Sequence, residues 1–212
     1  MVPFNDLLVF AAAALFMVLT PGPNMIYLVS RSISQGRQAG IISLVGVVGG
    51  FFVHMLGAAV GLTALFMAVP LGYEVLKWAG ACYLLWMAWQ AVKPGARSPF
   101  EPKDLPIDSK RKLLTMGFLT SVLNPKIAIF YLAILPQFIS AQNGSVFVQS
   151  IVLGLVQISI SFSVNFLIAI SAAGIASWFA KNPTWLAVQR YLMGFVLASL
   201  AIRLAFEKRA AV

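Results

Sequence analysis

Acidic side chains are scarce in this chain, six in 212 residues, and charged residues of both signs make up only 10%. A soluble domain carries about 25% charged residues. Too little polar surface is left to cover a water-soluble globule, and a mean hydropathy of +0.91 agrees. Thiols are almost absent: Cys82 stands alone. That excludes an internal disulfide or a CxxC redox pair. It also argues against a thiol carrier or a soft-metal exporter, both of which want several thiolates. Histidine occurs once, at His54, and Asp6 and Glu74 lie near the ends of apolar segments rather than at their centres. A membrane-embedded enzyme would want a nucleophile with a base, or two carboxylates, at depth. Nothing here calls for catalytic residues, a metal or a cofactor.

What is present is apolar sequence, 60% hydrophobic. A spanning helix takes about 20 mostly apolar residues. Six segments qualify: 4–30, 40–68, 72–92, 113–139, 147–173 and 186–206. The expected fold is an all-α membrane protein of six transmembrane helices, one domain over 1–212. The Lys/Arg/Pro-rich loop 93–112 divides it into halves 1–92 and 113–212. The apolar N-terminus lacks the basic n-region of a signal peptide, so it reads as a retained first helix.

The net charge of +9 does not indicate nucleic acid, because the basic residues fall in short loops between apolar segments. Arg31, Arg37, the six of the central loop, Lys181 and Arg190 lie on one side. Lys77, Arg203, Lys208 and Arg209 lie on the other. The positive-inside rule makes the richer side cytoplasmic and both termini external. Three helices per half reverse the sense of insertion, the condition for a 3+3 inverted repeat.

Two polar knots interrupt the first and fourth segments: Thr20-Pro21-Gly22-Pro23-Asn24 and Leu123-Asn124-Pro125-Lys126. Lipid cannot hydrogen-bond a freed backbone group, so such a break survives only where protein or a water-filled cavity covers it. Pro21 and Pro23 have no N–H, which frees the carbonyls of Met17 and Leu19; Pro125 frees that of Ser121. Asn24 and Asn124 each carry an amide that donates and accepts. A half-helix from about Met25 to Ser30 begins with free N–H groups and a positive dipole end. An amino-acid zwitterion matches this arrangement, with its carboxylate on the half-helix and its ammonium on the freed carbonyls. Either knot could also be a packing kink, but a Gly, an Asn and two Pro together favour a substrate site.

Lys126 is an ionisable residue inside an apolar span, at a cost of about 3 kcal/mol. It either serves the substrate or an acidic partner, or snorkels to an interface. His54 shares one helix face with Gly46, Gly50, Ala58 and Gly61. It is either a proton relay, since imidazole titrates near neutrality, or a satisfied core histidine. Gly154, Gln157, Ser161 and Asn165 form an inward stripe that lines a pathway or bonds to neighbouring helices. Arg31 closes the first segment, where snorkelling suffices to explain it. The glycine stripes pack within one chain or make a homodimer.

Thr20-Pro-Gly-Pro-Asn-Met through Ser30-Arg31 and Gly36-Arg37-x-Ala-Gly40 resembles the first signature of the LysE/RhtB superfamily of bacterial amino-acid exporters. Val53-His54, Gly61-Leu62 and Leu76-Lys77-x-x-Gly80-Ala81-x-Tyr83-Leu84 follow the same pattern. So do Gly117-Phe118-Leu119 through Asn124-Pro125-Lys126, then Phe130 and Pro136-Gln137-Phe138. The resemblance implies a six-helix inner-membrane exporter of amino acids or derivatives, working against protons. The missing central carboxylate favours a neutral zwitterion of the homoserine, threonine or branched-chain type over a cationic cargo. Another small metabolite or a toxic analogue is the alternative.

Overall fold

The computed structural model describes residues 2–20, 22–68 and 106–181 continuously, with isolated positions, mostly helical, within 78–93 and 184–206. Pro21, Glu74 and Lys77, and most of the expected segments 72–92 and 186–206, lie outside the described residues. So does most of the loop 93–112.

Among the described residues the elements are helical throughout. α1 (Phe4–Leu19) and α2 (Pro23–Gln35) meet at a bend of 52°. α3 follows over Arg37–Ala68, and Gly36 turns the chain between them with φ 86°, a conformation open to glycine. α4 (Lys110–Val122) and α5 (Pro125–Ile129) meet at a second bend; α5 continues through a π turn, Phe130–Ile134, and a 3-10 turn, Leu135–Phe138. The α4 to Phe138 pair bends by 44°. α6 runs over Val146–Lys181.

The breaks therefore fall at the two proline knots, and the flanking helices differ from the expected segments only at their ends. α2 starts earlier than the Met25 read from sequence, because Pro23 is tolerated at a first helical position. Two stretches, Arg37–Gly61 and Val146–Ala172, are long and apolar enough to cross a bilayer, and each bent pair adds one more. The described residues are thus those of a helical membrane protein.

α3 and α4 cross closely because small residues meet there. A Cβ added to Gly46 would stand 2.1 Å from the Leu114 carbonyl oxygen. One added to Gly117 would stand 2.3 Å from that of Ser43, and one on Gly50 would meet Ser121 at 2.4 Å. The stripe read along α3 is therefore used inside the chain at Gly46, Gly50 and His54. Gly61 differs: it is exposed, and no described atom lies within 4 Å of a Cβ there. On the far side of the breaks Phe10 packs against Phe130 and Phe138, with centroids 5.5 and 5.3 Å apart.

Candidate functional site

Each break ends one helix and starts another, so it sets backbone acceptors of one against backbone donors of the next. α1 closes with Thr20 N–H and Oγ1 both donating to the Phe16 carbonyl. The Met17 carbonyl, freed by Pro21, and the Thr20 carbonyl both face Lys126. Its Nζ donates to Met17 O at 3.1 Å and to Thr20 O at 2.6 Å. The side chain is buried, so Lys126 does not snorkel. Its stem crosses Gly22, where a Cβ would come within 2.8 Å of Nζ. Of the two freed carbonyls that the sequence reading reserved for a substrate ammonium, Met17 and Leu19, that of Met17 thus meets the protein's own, with Thr20 beside it.

The two asparagines meet. Asn124 Nδ2 donates to Asn24 Oδ1 at 3.0 Å, and Asn24 Nδ2 donates to Ser121 Oγ at 3.3 Å. Asn124 Oδ1 caps α5 by accepting from Lys126 N–H at 3.0 Å, with Pro125 following at the first helical position. All three polar side chains are buried.

The Ser121 carbonyl, freed by Pro125, accepts from Asn124 N–H at 3.1 Å and from His54 Nε2 at 3.0 Å. A carbonyl only accepts, so His54 carries its proton on Nε2 in this contact. Its ring lies against Tyr131, centroids 6.0 Å apart and 17° from parallel. Tyr131 in turn donates to Gln157 Oε1 at 2.7 Å. The π turn that carries Tyr131 is a departure often found at functional sites.

The stripe on α6 points inward: Gln157, Ser161 and Asn165 are all buried. Gln157 Nε2 donates to Ser161 Oγ, and Asn165 Nδ2 to the Ser161 carbonyl. Ser161 and Asn165 line a small pocket with Met17, Val18, Asn24, Met25, Phe51, Lys126 and Ile127. Gln157 is not on that wall and serves Tyr131 instead. The free space is about 10 Å³, room for a single water. The C-terminus of α1 and the N-terminus of α2 both abut it, so opposite dipole ends converge there.

From this pocket a polar ladder runs along α2 and α4. Tyr27 donates to the Leu113 carbonyl at 2.8 Å, and Ser43 donates to Tyr27 Oη. Arg31 lies over the Tyr27 ring at 5.5 Å and reaches Asp108 at 2.6 Å. Lys112 holds the other carboxylate oxygen at 2.6 Å. Gln35 exchanges hydrogen bonds with Asp108 at both its amide ends and donates to the Pro106 carbonyl. Arg31 is thus an ion-pair partner, where the sequence reading needed only a snorkelling residue.

The Lys112 hydrogen bond, then that of Gln35, holds the Asp108 carboxyl below the ordinary aspartate range. A depressed acid stabilises its partners above the unfolded pKa and loses that stabilisation as pH falls through the folded one. The latch therefore stays charged across neutrality. Asp108→Asn is expected to lower the unfolding midpoint of the purified protein at neutral pH and to leave the midpoint less dependent on acid pH. An unchanged midpoint and acid profile would show the latch to be idle.

Sequence reasoning missed Tyr131, Gln35 and Asp108, and with them the parts played by the Thr20 carbonyl and the Ser121 hydroxyl. Only the hydroxyls beside the knots carried any signal, since Ser121 precedes Asn124 by one helical turn.

Comparison with known proteins bears on the chain as a whole. A family model described as "LysE type translocator" matches residues 15–208. The chain is 29% identical to a homoserine/homoserine lactone efflux protein of Salmonella typhimurium, over 91% of this chain and 92% of that one. It is 26% identical to a leucine efflux protein of Klebsiella pneumoniae, over 93% of each. No solved structure matches.

Proposed function

The chain belongs to the LysE family of translocators, and we propose that it exports small neutral amino acids across the bacterial inner membrane by alternating access against protons. Six spans in a 3+3 inverted repeat, with both termini external, complete this reading. The observation that carries it is the pocket between the two breaks, bounded by the acceptor end of α1 and the donor end of α2. A zwitterion has a charge for each end.

No carboxylate lines the pocket among the described residues, which favours a neutral cargo over a cationic one. The cargoes named for the relatives, homoserine, its lactone and leucine, have uncharged side chains and a primary amine. The lactone has no free carboxylate, so the amine is their common feature. The space in the pocket is too small for an amino acid, so cargo needs a wider conformation than this one.

Cells overproducing the protein are expected to resist toxic analogues of neutral amino acids and to release the corresponding amino acids faster, with no protection against lysine or arginine analogues. Equal sensitivity across the whole set would remove the proposal. His54 is the proton-relay candidate, although its contact with Ser121 O also gives it a structural task. His54→Gln keeps an N–H donor for that carbonyl and removes the imidazole. Efflux by this variant is expected to lose its dependence on external pH; a retained dependence excludes His54 as the relay.

A further inference from the structure

We infer that the Met17 and Thr20 carbonyls form a primary-ammonium seat that Lys126 occupies as an internal stand-in, and that the cargo's amine displaces it. The inference rests on the export reading above and identifies the group by which cargo is recognised.

Lys126 has no carboxylate partner among the described residues; both acceptors of its Nζ are main-chain carbonyls. They belong to the C-terminal end of a 16-residue helix, where the dipole favours a cation. An ammonium has three donors, and two are used here. Lys126 and Met17 both line the pocket. The approach is a built one, because a side chain at position 22 would strike Nζ or Cε. A lysine needed only for packing would not require its head to be threaded past a glycine onto two carbonyls at a pocket wall.

Exchange follows from this geometry. A cargo ammonium entering from the pocket finds its acceptors already engaged by a tethered competitor. Once it takes them, Lys126 is released beside it, free to meet the cargo carboxylate. When the cargo leaves, Lys126 returns, and the two carbonyls are not left bare in a dry interior. The recognised class is therefore an unmodified primary amine; N-acylated analogues have no ammonium to offer the seat.

The test compares purified wild type with Lys126→Ala, using L-alanine methyl ester, L-alanine and N-acetyl-L-alanine methyl ester as probes. Removing Lys126 removes both the competitor for the amine and the partner for the carboxylate. The ester is expected to bind the variant at least about ten-fold more tightly than wild type, a difference of about 1.4 kcal/mol. Free alanine gains less, and the N-acetyl ester shows no binding to either protein. If the variant does not survive extraction, the reading becomes recovery of a monodisperse peak with the ester present and none with its N-acetyl form. An ester that binds the variant no better than wild type, or an N-acetyl ester that works equally well, overturns the inference. Analogue resistance in cells is scored separately, so a failed seat with intact amino-acid export removes the exchange and leaves the export reading standing.

Discussion

Replacing Asn124 by alanine is expected to reduce efflux to background while the protein remains in the membrane. The amide has two tasks. Its oxygen caps α5 through Lys126 N–H, and its nitrogen donates to Asn24 Oδ1. Loss of a cap costs about 1 kcal/mol, and a buried acceptor left without a donor costs about 1–3 kcal/mol more. A fold with extensive helix contacts survives that sum. The two breaks, however, touch through this amide, and the Lys126 backbone that it caps carries the side chain lying on the α1 carbonyls. Asn24→Ala should behave alike, and the double variant should be no worse than either single one, as coupled partners require. Immunoblotting of membranes beside an efflux assay makes the comparison. Wild-type efflux from a normally abundant Asn124→Ala protein would remove the breaks as the binding site.

The second large effect concerns folding. Gly117→Ala should strongly destabilise the protein, although alanine favours a helix over glycine by up to about 1 kcal/mol. The new methyl would sit 2.3 Å from the Ser43 carbonyl oxygen. A backbone atom cannot rotate away, so α3 and α4 must part. A radial gap of about 0.5–1 Å forfeits a quarter to a half of each dispersion contact along the crossing, and overpacking of this kind costs about 1–3 kcal/mol. Gly117→Val should not accumulate at all. Gly57→Ala is the control, since no described atom lies within 4 Å of a Cβ there; it should be neutral or slightly stabilising. Unfolding midpoints in detergent decide. Equal midpoints for Gly117→Ala and Gly57→Ala would show that the crossing is not closely packed.

The breaks were legible in the sequence because proline announces its missing N–H. So was the inward face of α6, where Gln157, Ser161 and Asn165 repeat at helical spacing. The wiring was not. Proline marked the carbonyls of Met17 and Ser121 as freed, but nothing tied them to Lys126 and His54, and the Thr20 carbonyl carried no mark. Every residue type has a carbonyl, so the donor that such an acceptor meets leaves no trace in composition. The Arg31–Asp108 pair was hidden for another reason: its members are brought together only when α2 and α4 pack, and no local spacing links them. The π turn was equally silent, since nothing in Phe130–Ile134 marks a wider ladder.

The length of α6 has a mechanical consequence. Its apolar part, Val146–Ala172, is 27 residues, about 40 Å of helix, against about 30 Å of hydrocarbon. Such a rod leans or thickens the bilayer around it. Its inner face carries Ser161 and Asn165 at the pocket wall, so a change in its slant shifts that wall. Hydrophobic mismatch is thereby a route by which acyl-chain length can bear on the pocket's width.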